Sequence, residues 1–192
     1  PSESAERAVS GTFELGALRG EPSGSRPDLL ADPVRTAIDE LGLGESVGVV
    51  EIDAALSDTA ATRDAYGLAE DVLANCIVVT GARQGVERVA ACVVLADTRA
   101  DVNGVVRRRL DVRKATFLAM DEAVSRTGME YGGITPLGLP SGWPILVDAR
   151  AAAAPLVVVG SGVRRSKLLV PGDVLASLPG AEVVEALGRA VP

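Results

Sequence analysis

The segment from Gly132 to Pro140 carries the residues best suited to chemistry in this chain of 192 residues. It reads GGITPLGLP, with three glycines and two prolines in nine positions. A loop of this composition is stiff and exposes backbone N–H groups, which can bind a carbonyl oxygen or a developing oxyanion. A plain connection between two elements is the alternative interpretation of the same composition.

The residue types that are missing exclude several kinds of active site. The chain has no histidine and two cysteines, which excludes Ser-His-Asp catalysis, Cys-His catalysis, and zinc sites built on histidine or on four cysteines. We predict no metal and no cofactor, so proton transfer near neutral pH falls to carboxylates, water, the substrate or a perturbed lysine. Cys76 and Cys92 lie in apolar runs and are predicted to be buried free thiols, which suits a reducing cytoplasm.

Charge is distributed unevenly along the chain. The net charge is −7, and residues 1–60 hold four basic and twelve acidic side chains, whereas residues 101–170 hold ten basic and six acidic ones. This pattern argues against broad coating of nucleic acid and allows contact with one short phosphate stretch. The sequence shows no run of 18 apolar residues and no secretory signal pattern, so we predict no membrane partner.

The elements that must position the loop alternate between hairpins and single helices. Runs over 76–80 and 89–95 predict a hairpin, and because strict βαβ alternation is absent the pattern predicts an α+β domain with a curved mixed sheet. Residues 1–30 are predicted to be a flexible lead-in and residues 31–192 a single domain. The other predicted elements are a helix over 33–42 capped by Asp32, a helix over 58–67 capped by Ser57, a helix from Asp101, a helix over 121–127, and strands over 47–52, 144–148, 155–159 and 166–170.

The stretch from Arg113 to Pro140, RKATFLAMDEAVSRTGMEYGGITPLGLP, resembles the YbaK and prolyl-tRNA-synthetase-associated editing domain family. The resemblance covers roughly residues 33–188 and implies a barrel-like sheet wrapped by helices. It continues through the segments Asp64–Thr80, Trp143–Asp148 (WPILVD), Leu156–Gly162 and Leu168–Asp173.

What the resemblance implies is trans-editing, the hydrolysis of the ester of a mischarged tRNA, typically a small amino acid on prolyl-tRNA. The partners that it implies are the 3′ end of aminoacyl-tRNA and a synthetase. Asp148 also has a plainer interpretation, since a strand-end aspartate can cap the following turn. The residues that the resemblance assigns to catalysis are Gly133, Asp148 and Asn75, and those assigned to substrate binding are Gly132, Ile134, Thr135, Pro136, Cys76, Gly160, Ser161 and Gly162.

One position departs from the pattern of this family. Asn75 stands where a lysine is usual, and Cys76 where threonine or serine is common. A lysine supplies a fixed cation, whereas asparagine supplies only a neutral donor. Two functions therefore stay open, a free-standing editing hydrolase and a degenerate module that binds an aminoacyl or other small ligand without turnover. A scaffold role for the acidic first 60 residues is a third.

Three cationic residues follow the Gly160–Gly162 turn. Arg164, Arg165 and Lys167 are predicted to contact a phosphate near the end of the tRNA, and a solvated rim is the alternative. Tyr131 is predicted either to form a wall of the pocket or to anchor the loop.

Overall fold

A computed structural model of the chain describes residues 13–190, which form twelve strands and six helices. No helix in this range is long and apolar enough to cross a membrane. The strands are β1 Phe13–Leu15, β2 Leu18–Pro22, β3 Gly48–Glu51, β4 Ala74–Arg83, β5 Val86–Leu95, β6 Thr98–Ala100, β7 Ala115–Phe117, β8 Ile145–Asp148, β9 Val157–Gly160, β10 Ser166–Val170, β11 Ala181–Val184 and β12 Gly188–Ala190. The helices are α1 Asp32–Glu40, α2 Thr59–Tyr66, α3 Arg107–Arg109, α4 Met120–Thr127, α5 Ala149–Ala153 and α6 Gly172–Ser177.

The strands form two five-stranded sheets and a small pair. The first sheet has the order β1-β2-β3-β10-β9 and is antiparallel throughout. The second has the order β11-β8-β5-β4-β7, with parallel pairs at β11–β8 and β8–β5. A parallel bridge between Leu73 and Val158 joins the start of β4 to β9. The strands curl into a half-barrel accompanied by six helices, which confirms the predicted α+β fold with a curved mixed sheet.

Small apolar side chains fill the interior between the sheets and α1. Val34 and Ile38 lie four residues apart on one face of α1, and both are fully buried. They pack in one cluster with Val147 of β8, Val159 of β9 and Leu168 of β10. Because only 3% of the residues are aromatic, this packing depends on branched aliphatic side chains.

The central hairpin is longer than its sequence pattern predicts. β4 and β5 pair over ten residues each, and Gln84 and Gly85 form the turn with φ of 53° and 78°. Positive φ at both turn residues is the geometry that matches the twist of a two-residue hairpin. The hairpin places Asn75 and Cys76 at the end of the sheet opposite this turn.

The N-terminal segment differs from the predicted flexible lead-in. Residues 1–12 lie outside the described part of the chain, but β1 and β2 form a hairpin, and β2 pairs with β3. Phe13, Leu18 and Leu29 are buried. Residues 13–30 therefore belong to the packed fold despite a composition typical of a loop.

The two helix caps predicted at Asp32 and Ser57 are wrong. The side chain of Asp32 makes no capping hydrogen bond, and the residue before α2 is Asp58 rather than Ser57. Asp101 does cap, since its carboxylate accepts two backbone N–H bonds from a π-helical turn over Val102–Val106. That turn continues into α3.

The burial of Phe13 gives a first prediction. Phe13 is 5% exposed and lies against Gly48, where an added Cβ would overlap its ring. We expect Phe13→Ala to lower the free energy of unfolding by about 3 kcal/mol in urea denaturation. Phe117→Ala is the matched control, because its ring is 65% exposed, and should change stability by less than about 0.5 kcal/mol. Equal effects of the two variants would contradict a core role for β1.

Candidate functional site

A cleft of about 420 Å³ opens where the loop after α4 meets the start of α2 and strands β4, β9 and β10. Six residues predicted from the sequence to belong to the site line this cleft. They are Asn75, Cys76, Gly132, Ile134, Gly160 and Lys167.

Backbone hydrogen bonds hold the loop against the turn between β9 and β10. The loop follows Gly128, which ends α4 in the left-handed conformation. The Glu130 N–H donates to the Gly162 carbonyl at 2.8 Å, and the Gly162 N–H donates to the Gly133 carbonyl at 2.7 Å. These two bonds fix the position of the loop relative to the sheet.

The glycines at this contact are required by the closeness of the two backbones. A Cβ at Gly160 would overlap the carbonyl oxygen of Gly133, and a Cβ at Gly133 would lie 2.9 Å from the backbone nitrogen of Val163. Neither position has room for a side chain. The glycine-rich composition therefore serves backbone packing at these two positions.

The backbone N–H groups of the loop are not equivalent. The Gly133 N–H donates to the Glu130 carbonyl at 2.9 Å, so the geometry does not support a catalytic role for this group. Its neighbours Gly132 and Ile134 line the cleft, and neither N–H donates to another group within residues 13–190. Among residues 13–190, the N–H groups of Gly132 and Ile134 are therefore left without a hydrogen-bond partner in the protein.

Four other residues assigned by the resemblance do not line the cleft. Thr135 is fully buried, and Pro136 lines a separate pocket. The Ser161 hydroxyl bonds the Ser166 hydroxyl at 2.7 Å inside the turn, and Gly162 acts through its backbone bonds.

Asp148 also lies outside the cleft and has a structural role. It is 4% exposed, and its carboxylate accepts the Arg150 N–H at 3.0 Å and the Gly188 N–H at 2.7 Å. The first of these bonds caps α5, as the plainer interpretation predicts.

The wall of the cleft formed by β4 is neutral. The Asn75 side-chain carbonyl accepts a hydrogen bond from the Thr59 hydroxyl at 2.7 Å, which ties β4 to the start of α2. Burial raises the pKa of the Cys76 thiol far above its usual range and that of Cys92 to about 12. Cys76 is thus a neutral thiol, which disfavours a role as a thiolate nucleophile.

Lys167 lies inside the cleft, so the alternative interpretation of this residue as part of a solvated rim does not hold. Its side chain is buried, and its Nζ donates to the Ser57 carbonyl at 2.6 Å. Loss of hydration, the largest cause, lowers the pKa of this ammonium from 10.5 to about 8. Arg165 does lie on the surface, where it donates to the Asp28 carbonyl.

Arg164 connects the two sides of the cleft at its mouth. Its guanidinium donates to the Tyr131 carbonyl of the loop and to the Ala54 carbonyl near α2, both at 3.3 Å. It also lies 3.6 Å from a carboxylate oxygen of Asp58. The guanidinium of Arg164 is therefore bonded to protein groups on both sides of the cleft mouth.

Ser57 is a cleft residue that sequence reasoning missed. It is 2% exposed, and its hydroxyl has no hydrogen-bond partner among the described residues. In the sequence, Ser57 stands directly before a predicted helix, a position that indicates a helix cap rather than a binding site. The signal for Lys167 was a single charged residue in SKLLV, an otherwise apolar strand that is buried along its whole length.

A wider groove of about 1210 Å³ adjoins the cleft and shares Asn75 and Ile77 with it. Phe117 projects into the groove with 65% of its surface exposed, and Arg99 and Lys114 also line it. No cluster of three or more potential metal ligands occurs within residues 13–190.

A family model of the aminoacyl-tRNA editing domain matches residues 53–178. No curated protein matches the chain. A solved structure of a candidate trans-editing enzyme for prolyl-tRNA synthetase is 22% identical, with a TM-score of 0.70 over 88% of this chain and 99% of its own. A hypothetical protein is 21% identical, with a TM-score of 0.71 over 82% and 100% of the two chains. A scaffold from computational epitope grafting is 23% identical, with a TM-score of 0.71 over 83% and 97%.

The buried ammonium predicts a pH-dependent contribution to stability. The pKa of Lys167 is about 8 in the folded chain and 10.5 ordinarily, so between these pH values the unfolded chain carries more of this proton than the folded chain does. Folding stability therefore rises with pH in this range. Relative to Lys167→Met, the free energy of unfolding of the unaltered chain should therefore rise by about 3 kcal/mol between neutral pH and pH 10.5. Lys114→Met is the matched control for loss of one lysine. A difference that is flat with pH in denaturant titrations would contradict the burial of the charge.

Proposed function

Because the chain belongs to the aminoacyl-tRNA editing domain family, we propose that it is a free-standing deacylase that hydrolyses the ester of mischarged tRNA. The proposed substrate is a small amino acid on prolyl-tRNA, as the sequence resemblance implies. The observation that carries this proposal is the cleft at the loop, with two backbone donors that have no other partner.

The aminoacyl ester is proposed to bind with its carbonyl oxygen at the N–H groups of Gly132 and Ile134. An ester is already activated, so a correctly held water molecule can attack it without a histidine. Donors fixed by the fold cost no reorganisation as the oxyanion develops. The close contact between the loop and Gly160 supports this role, because it makes the loop rigid.

The wider groove is proposed to receive the last nucleotides of the tRNA. It shares a wall with the cleft at Asn75 and Ile77, so a chain end lying in the groove reaches the cleft directly. Phe117 offers an exposed aromatic face to a base, and Arg99 and Lys114 offer positive charge to phosphates.

Binding without turnover is the second candidate function, and one observation favours it. The side-chain carbonyl of Asn75 is held by Thr59, so this residue is part of the wall and supplies no charge. A degenerate module of this kind would retain the cleft and the groove and bind the same tRNA end.

Deacylation of a panel of mischarged tRNAs tests the proposed function. We expect the purified chain to hydrolyse at least one small amino acid from tRNA specific for proline. Gly160→Ala should lower this rate about a hundredfold, because its Cβ displaces the loop at Gly133. Gly142→Ala is the control for backbone strain without contact, since its Cβ meets nothing within 4 Å and its φ of 84° disfavours alanine, and it should leave the rate unchanged. Tight binding of every substrate with no hydrolysis would instead favour the second function.

The groove gives a separate prediction. Phe117→Ala should raise the KM for mischarged tRNA about tenfold through lost stacking on a base and leave kcat unchanged. Phe117→Trp should keep the KM low. Val86→Ala, at an exposed apolar side chain on the hairpin, is the control for loss of surface. An unchanged KM in Phe117→Ala would place the tRNA end elsewhere.

A further inference from the structure

Lys167 is an ammonium buried in the cleft without a carboxylate bonded to it. Its side chain is 8% exposed, and the single hydrogen bond of its Nζ, at 2.6 Å, goes to the backbone carbonyl of Ser57. Burying a charge with so little compensation is unfavourable for folding. An ammonium has three donors, so two of them are left for a ligand in the cleft.

The register of β10 directs this side chain toward the loop. Lys167 pairs with Gly160 of β9, and the side chains of paired residues leave a sheet on the same face. At Gly160 that face lies against the carbonyls of Gly133 and Ile134. The lysine therefore rises beside the segment that carries the free backbone donors.

The other titratable groups near Lys167 do not neutralise it. Asp58 stands at the mouth of the cleft with 69% of its side chain exposed, and Arg164 lies beside it. Tyr131 on the loop and the neutral thiol of Cys76 on β4 complete the set. Lys167 therefore has one nearby carboxylate, that of the exposed Asp58, and no carboxylate within residues 13–190 bonds its ammonium.

A second polar group at the floor also lacks a partner. The Ser57 hydroxyl is 2% exposed, lines the cleft and makes no hydrogen bond with any described residue. Buried hydroxyls are normally bonded, and an exception beside a buried cation points to an oxygen atom that a ligand supplies.

We propose that Lys167 is a catalytic residue, whose ammonium, together with the Ser57 hydroxyl, binds the oxygen that becomes negative during ester hydrolysis. This inference rests on the proposed deacylase function. It assigns the positive charge of the site to β10 rather than to the position of Asn75 on β4.

The reaction that this arrangement assists is balanced by one water molecule. The water oxygen bonds the ester carbon, and the carbonyl electron pair moves to the oxygen held by Lys167. The bond between the ester carbon and the ribose oxygen then breaks, and the ribose oxygen takes up one proton that comes from the water. The second proton is released to solvent, leaving the free amino acid and the tRNA hydroxyl. Lys167 stays protonated throughout and acts only through its charge.

The test compares kcat and KM for the mischarged tRNA that the unaltered chain hydrolyses best. We expect Lys167→Met to lower kcat by about a hundredfold or more with little change in KM. The ratio of kcat of the unaltered chain to kcat of Lys167→Met should fall as pH rises through about 8, where the ammonium loses its proton. Ser57→Ala should give a smaller loss, and Arg19→Met, at an exposed cation on β2, no loss.

The outcomes separate the two proposals. No hydrolysis by the unaltered chain overturns the deacylase function and this inference with it. Hydrolysis that survives Lys167→Met overturns the inference alone. A rise in KM with unchanged kcat also overturns it, because the lysine would then bind the ground state, for example an acidic amino-acid side chain.

A second measurement uses the unaltered chain and avoids any folding defect. The sequence has two lysines, so lysine labelled with ¹³C at Cε gives two signals, and Lys114→Arg assigns them. The probe is adenosine carrying 1-aminoethylphosphonate as a 3′ ester, which is tetrahedral and anionic like the intermediate. Binding should shift the Lys167 signal and raise its pKa. Absence of binding, or a bound probe that leaves this signal unmoved, contradicts the inference.

Discussion

The backbone of the loop at residues 130–133 lies directly on the turn at residues 160–162, with no side chain between them. Two hydrogen bonds cross this contact, and glycines at Gly133 and Gly160 leave the space that it needs. The contact sets which N–H groups of the loop are consumed and which remain free. It also places the end of β9 against the loop. Because Lys167 of β10 pairs with Gly160 of β9, the contact fixes the position of Lys167 as well.

Local signals in the sequence predicted the loop, the turn and the hairpin, because glycine and proline restrict the backbone whatever surrounds them. The same signals could not show what each glycine approaches. Gly133 was assigned to catalysis, yet its N–H donates to the Glu130 carbonyl and its α-carbon faces another backbone. The strand β2 was missed because the buried apolar residues of this polar segment show no two-residue alternation.

Charged residues were harder to place than apolar ones. Asp148 and Lys167 both lie in apolar segments of the sequence, and both are buried. The aspartate satisfies its charge with two backbone N–H groups, whereas the lysine has one carbonyl. Only the three-dimensional count of partners separates a structural charge from one held for a ligand. A fold that keeps such a cation gives up stability at the position where its chemistry is proposed.

The cleft has no local precursor in the chain. The bond between Lys167 and Ser57 joins residues that are 110 positions apart, and the walls come from α2, β4, the loop, β9 and β10. Contacts of such long range form only after the intervening chain is ordered. No segment shorter than residues 57–167 holds the ammonium, the hydroxyl and the free N–H groups together, so a chain still emerging during synthesis cannot yet form the proposed site. The proposed chemistry therefore depends on β9 and β10, the last strands of the chain that contribute to the cleft.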